Sequence, residues 1–189
     1  MATSNVTIAN RALQKLGAGR ISSLTQDHPN ARSMAAAYDG VRDALLREYP
    51  WGFAIKRASI AADSDGSEWG DWNSYTLPND FIALIRDDES GFAVDWKVEG
   101  LTILSADASP LEIRYVARID DPNYYDALFA EALSISLAVE TCEEVTQSTT
   151  KKAGLIKSLD DTLGKARLLG AIEKAAQEFV EDEWVSARR

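Results

Sequence analysis

The chain has 189 residues, 46% apolar and 26% charged, and thirty acids against twenty bases give it a formal charge of −10. That is enough for one domain, or one core with an insertion, and too apolar for a disordered chain. An acidic surface repels phosphates, which argues against a groove that grips nucleic acid. The single cysteine, Cys142, rules out an intrachain disulfide and a cysteine zinc site.

Val6, Ala9, Leu13 and Leu16 recur at helical spacing, with Thr3 or Ser4 to cap the start and Gly17 and Gly19 to end it. A second helix is predicted after the turn at Asp27-His28-Pro29-Asn30, ending at Pro50. Its apolar side carries Met34, Tyr38, Val41 and Leu45, and the spacing turns Arg32, Asp39, Arg42 and Asp43 outward. The period then changes to two. Trp51, Phe53 and Ile55 read as a strand, and residues 63–72, rich in Gly, Asp and Ser, read as a loop. Residues 81–85 read as a short strand, and Phe92, Val94, Trp96 and Val98 form the clearest alternation. Glu99-Gly100 turns into residues 101–104, and Ala108-Ser109-Pro110 turns into the alternation of Leu111, Ile113 and Tyr115. Short turns between alternating strands predict an antiparallel meander.

Helical spacing returns at Asp120-Asp121-Pro122, with Asp121 as cap and Pro122 at the first position. The helix over 125–145 is apolar around most of its circumference, as the central helix of a bundle is. It places Cys142 among apolar neighbours, as a buried inert thiol. A last helix over 148–183 carries a stripe of Leu155, Leu159, Leu163, Ala166, Leu169, Ala176 and Phe179. The fold class predicted is α+β. A four-helix up-and-down bundle (1–50 plus 120–189, with a C-terminal extension) carries a β-rich insertion, an antiparallel meander, over 51–119 between its second and third helices. No stretch reaches the ~18 uninterrupted apolar residues that span a bilayer, and the start of the chain lacks a signal-peptide pattern. The expectation is a soluble protein made in a cytoplasm, with no membrane partner.

Chemistry finds little purchase. His28 is the only histidine, in a polar turn, so triads and two-histidine metal sites have no ordinary donors. Gly17-Ala18-Gly19 follows a helix, whereas phosphate loops follow a strand and open a helix. Asp63-Ser64-Asp65-Gly66-Ser67-Glu68 misses the calcium-loop pattern, since glycine comes fourth and the twelfth residue is Ser74. Asp87-Asp88-Glu89 and Glu143-Glu144 could supply paired carboxylates, but acids at element ends are commoner than such pairs at work. No catalytic, cofactor or metal site is predicted. Aromatics are the better lead: Trp69 and Trp72 sit in a loop and Trp184 lies past the bundle stripe, where exposed rings anchor interfaces or fold back on their own domain. Arg188 and Arg189 add a basic tip to an acidic chain.

Several ordered segments together carry a resemblance. They are Ile8-Ala9-Asn10-Arg11-Ala12-Leu13-Gln14-Lys15-Leu16-Gly17, Tyr38-Asp39-Gly40-Val41-Arg42-Asp43-Ala44-Leu45-Leu46, and Tyr49-Pro50-Trp51-Gly52-Phe53-Ala54 followed by Arg57-Ala58. Then come Tyr75-Thr76-Leu77-Pro78-Asn79-Asp80, Lys97-Val98-Glu99-Gly100 with the strand to Leu104, and Ile113-Arg114-Tyr115-Val116. The most characteristic is Asp121-Pro122-Asn123-Tyr124-Tyr125-Asp126-Ala127-Leu128-Phe129-Ala130-Glu131-Ala132-Leu133. In this order they resemble the tail tubular protein A family, the head-to-tail adaptors of short-tailed bacteriophages and prophages. The final stretch from Phe179 follows no fixed pattern of that family.

The resemblance implies a helical bundle with a β-rich insertion, assembled as a dodecameric ring beneath the portal protein. The ring extends the DNA channel, through which DNA passes without specific binding, and offers a surface to the tail nozzle or tail tube protein. In the virion the chain would sit at the head-tail junction. Portal-interface candidates are Phe179, Trp184, Val185, Arg188 and Arg189. Candidates for contacts with neighbouring subunits or the tail side are Trp69, Asp71 and Trp72. The rival readings are a non-viral helical scaffold or interaction protein, and a carboxylate-dependent cell-wall hydrolase.

Overall fold

The structure, a computed structural model, describes residues 3–64, 66, 70–85, 96–107 and 109–172. Helix α1 spans Asn5–Leu16 because Ser4 accepts a hydrogen bond from the Thr7 amide and Gly17 ends the helix at φ +73°. Its face of Ile8, Ala9, Ala12, Leu13 and Leu16 is fully packed. The loop that follows is fastened to it. The Asn10 side chain accepts from the Ile21 amide at 2.8 Å and donates to the Ile21 carbonyl at 2.9 Å. Helix α2, Pro29–Glu48, starts with proline at its first turn and with His28 as cap, whose Nδ1 accepts from the Asn30 amide at 3.1 Å. The lone histidine is therefore a helix cap rather than a free loop residue.

Helices α3 (Ala127–Thr146) and α4 (Thr149–Ile172) are joined by a two-residue turn with Gln147 in the left-handed region. Burial around α3 fits its pattern in the sequence: Phe129, Leu133, Ile135, Leu137 and Cys142 are all at or near zero exposure. Helix α3 packs along α1, α2 and α4, whereas α1 and α2 meet only briefly. Three of the described helices thus pack on one, α3. The physical reason lies in α3, whose apolar surface is wide enough to satisfy three partners. The Ser33 hydroxyl donates to Glu144 at one end, and Trp51, just past α2, meets Phe129 at the other, so α2 runs antiparallel to α3.

Among the described residues between α2 and α3 lie six strands: β1 (Ile55–Ile60), β2 (Asn73–Thr76), β3 (Phe81–Leu84), β4 (Trp96–Glu99), β5 (Thr102–Ser105) and β6 (Leu111–Ala117). They form two antiparallel three-stranded sheets, ordered β1-β6-β3 and β2-β5-β4. The simple meander is therefore corrected. Among the described strands only β4 and β5 pair as consecutive neighbours, through a turn whose Gly100 sits at φ +62°. The segment at Ser109-Pro110 carries the chain from the second sheet back to the first. Sheet one stands in the middle. Its Val116 and part of β3 pack on the helices, while Leu111, Ile113, Tyr115 and Ala117 face Tyr75 and Ile103 of sheet two.

Two further expectations are corrected. Trp51 and Phe53 are not in a strand. Residues Gly52–Ala54 form a 3-10 turn, and both rings join the helical core. Trp51 precedes the turn and Phe53 lies within it, and both rings reach Phe129. Asp121 caps a 3-10 turn, Pro122–Tyr124, and α3 begins later, at Ala127. There the Asp126 carboxylate accepts from the amides of Leu128 and Phe129. The strand read over 92–98 is seen as β4, with residues 92–95 outside the described set, as is the final helix beyond 172.

Candidate functional site

Two clusters join the helices to sheet one, and a third, within the β-rich insertion, is linked to them through Arg118. The first is aromatic. Phe129 is fully buried, with the rings of Tyr125, Trp51 and Phe53 at 4.9, 5.0 and 5.0 Å between centroids. All three contacts are edge-to-face, the arrangement the ring quadrupoles favour. The Trp51 indole N–H donates to the Leu45 carbonyl at 3.0 Å, and the Tyr125 hydroxyl to the Ile119 carbonyl at 2.8 Å. Tyr49 closes the edge, 5.4 Å from Trp51.

The second cluster is centred on Arg42, which the sequence pattern turns outward and the structure buries, its side chain only 6% exposed. Its guanidinium meets Asp43 at 2.9 Å, Asp120 at 2.9 Å and Asp39 at 3.1 Å. Asp43 is shared: Arg118, just after β6, binds its other oxygen at 2.7 Å. Burial alone would lower the Arg42 pKa, but the hydrogen bond and charge of Asp43 outweigh it and raise the pKa above its ordinary value. Arg42 thus ties α2 to the Asp120 turn, and Asp43 ties α2 to the end of sheet one. The signal was present in the sequence: position 42 lies four residues after Tyr38 and three before Leu45, on their face.

The third cluster is centred on Asp80, at the end of Leu77-Pro78-Asn79-Asp80. Its carboxylate accepts from Lys56 of β1 at 2.6 Å and from the Tyr115 hydroxyl of β6 at 3.0 Å, and its carbonyl accepts from the Arg118 amide. Burial pushes the Asp80 pKa up, but the Lys56 and Tyr115 hydrogen bonds prevail and hold it below the ordinary carboxylate value. Burial and the Asp80 partner push Tyr115 up to about 12. A carboxyl whose pKa is depressed in the fold stabilises above its unfolded pKa, near 3.9, and loses that contribution as pH falls through the folded value. Asp80→Asn is therefore expected to flatten the acid limb of the stability-against-pH curve. Urea midpoints of the two proteins should converge between about pH 4 and pH 2; parallel curves would remove Asp80 from the acid response.

Where α4 meets the joint, Gly170 lies against Tyr49, so a Cβ there would fall 2.5 Å from the Tyr49 hydroxyl oxygen. Gly→Ala within a helix ordinarily gains about 1 kcal/mol. Here Gly170→Ala is expected to lose stability, and to recover it when combined with Tyr49→Phe, whose nearest ring carbon would sit at 3.4 Å. A double-mutant cycle by thermal unfolding checks this; additive effects would mean that the hydroxyl simply swings away.

Two open grooves flank that contact. One, about 350 Å³, is lined by Trp51, Phe53, Tyr124, Tyr125, Leu128 and Leu169. The other, about 490 Å³, lies under the helix-facing side of sheet one and is lined by Ile55, Arg57 and Arg114. Arg57 and Arg114 face each other across the β1–β6 ladder.

Of the residues marked from the sequence, Asp71 is exposed, and Trp72 is half-buried, with the Lys97 ammonium 5.2 Å from its ring centroid. Trp69, Phe179, Trp184, Val185, Arg188 and Arg189 lie outside the described residues. Asp63, weighed as a calcium ligand, accepts from the hydroxyls of Ser74 and Thr76. Cys142 is buried, with its sulfur near the Thr146 hydroxyl. Among the described residues no acid, histidine and cysteine cluster could hold a metal ion, and no helix is long and apolar enough to cross a membrane. No family model matches the chain, and no curated protein matches it.

Proposed function

We propose that this chain is a structural virion protein, a head-to-tail adaptor that docks in a ring beneath the portal of a tailed bacteriophage. One observation carries the reading. Three segments that are separate in sequence and resemble the tail tubular protein A family meet where the helices join sheet one. Tyr38 to Leu46 supplies Arg42 and Asp43, and Tyr49 to Ala54 supplies Trp51 and Phe53. Asp121 to Leu133 supplies Tyr125 and Phe129. Matching segments that meet at a joint between helices and a sheet fit a part that must hold two bodies in fixed relation.

In this reading the ring is dodecameric and extends the DNA channel, and its acidic chains keep DNA moving without binding it. The C-terminal residues Phe179, Trp184, Val185, Arg188 and Arg189 serve the portal, and the Trp72 side serves neighbouring subunits or the tail nozzle. The test is to mix the protein with its own phage's portal and measure particle mass and negative-stain images. Portals capped by about one adaptor chain per portal subunit are the expected result. An intact portal that recruits none would reduce the resemblance to a likeness of fold. Trp184→Ala combined with Arg188→Ala should weaken capping; unchanged capping would reassign the portal contact.

A further inference from the structure

Apart from Ile156, the large apolar side chains left exposed among the described residues fall into two groups. One is the tip of the β4–β5 hairpin, where Val98 is 39% and Leu101 72% exposed. The other comprises Tyr124 and Leu169, which line the aromatic groove, and Leu168 and Ile172 at the end of α4. The first group projects from a tight turn, and Tyr124 and Leu169 of the second line a hollow. Their charges are complementary too. Glu99 sits at the tip between Val98 and Leu101, and Arg57, which makes no ion pair among the described residues, lines the groove beside the hollow. The hairpin cannot fold onto its own groove, because the hairpin belongs to sheet two and sheet one stands between it and the helices.

From this match we infer that the hairpin tip of one copy docks in the aromatic groove of a second copy. Leu101 and Val98 enter beside Tyr124 and Leu169, and Glu99 reaches Arg57. The two surfaces differ, so the contact is heterologous: each copy offers a tip to one neighbour and a groove to the other, and such contacts close into a ring or run on as a filament. The inference deepens the adaptor reading, on which ring closure rests, by naming the faces that subunits present to each other. The groove volume lies in the range that accepts small apolar ligands, which leaves space for two aliphatic side chains.

The test is sedimentation of the full chain and of two variants, Leu101→Asp and Leu169→Asp, alone and mixed. Both positions are at least half exposed, so both variants are expected to fold. The wild-type chain should associate, and each variant alone should associate at least about tenfold more weakly. The equimolar mixture should recover a dimer that grows no further, because only one tip–groove pair remains intact. Arg57→Glu should weaken association, and adding Glu99→Arg should restore it. A mixture that stays monomeric, a Leu101→Asp variant that associates like the wild type, or a wild-type chain monomeric at about 1 mM would each overturn the contact. Portal capping separates this contact from the adaptor role. Leu101→Asp chains that still cap portals as a complete ring would sink the contact and leave the adaptor reading standing; association through these faces without capping would do the reverse.

Discussion

Phe129→Ala is expected to lower unfolding free energy by about 4 kcal/mol, the largest effect of any single truncation in the joint. The side chain is fully buried and central, so three losses coincide. Its apolar area returns to water on unfolding without compensation, a cavity opens, and three edge-to-face ring contacts go together. Collapse cannot fill the space, because Trp51 is pinned by its hydrogen bond to Leu45 and Tyr125 by its bond to Ile119. Phe129→Leu, which keeps most of the volume, should lose about 1.5 kcal/mol. Urea unfolding monitored by tryptophan fluorescence would measure both, since Trp51 touches the site. A loss below about 1.5 kcal/mol for the alanine variant would mean that the cluster repacks and is not the rigid centre described.

Asp43→Ala is expected to cost about 3 kcal/mol. Asp43 is a quarter exposed and serves two guanidiniums, so its removal leaves the buried Arg42 facing only Asp39 and Asp120, whose side chains are about four-fifths exposed and whose attraction is screened by water. Arg42→Met should cost less, about 1 kcal/mol. Methionine fills much of the same space, Asp43 keeps Arg118, and the two exposed aspartates return to water without penalty. The ordering matters more than either value. If Arg42→Met proved as damaging as Asp43→Ala, the guanidinium's hydrogen bonds rather than the stranding of its charge would hold α2 to the sheets. Neither alanine nor methionine breaks a helix, so far-ultraviolet circular dichroism of the folded state should not change.

The sequence made the helices legible because their signals are local. Ser4 and Gly17 bracket α1, Pro29 and Pro50 bracket α2, and the near-uniform apolarity of α3 marks it as central. The change of period from 3.6 to two announced a β-rich insertion, hence the α+β class. Strand pairing was not legible, because β1 finds its partner more than fifty residues later, in β6, and nothing in either segment names the other. Alternation reports which face is buried, not which neighbour does the burying. Trp51 and Phe53 mislead in the same way: two rings that reach Phe129 from a 3-10 turn and its cap stand two residues apart, as they would on one face of a strand. Arg42 was lost to a rule of thumb that sends charge outward, although its place between Tyr38 and Leu45 on the helix wheel pointed in. The candidate site was legible only as a set of ordered segments. Three of them share one junction, where Phe129 meets Trp51 and α2 carries Arg42 to Asp120.

The pairing of Ile55 with Val116 has a consequence for how such a molecule can change over generations. The chain leaves the helices and returns to them on adjacent rungs of one ladder, so the two crossing points stay neighbours whatever lies between. What joins the strands between these two points can lengthen, shorten or be exchanged while the helices receive the same two ends at the same separation. The sheets are in effect a cartridge seated in a fixed socket. Variation aimed at a new neighbour would accumulate at their outer edge and leave the socket, with Trp51, Asp43 and Phe129 in it, as it is.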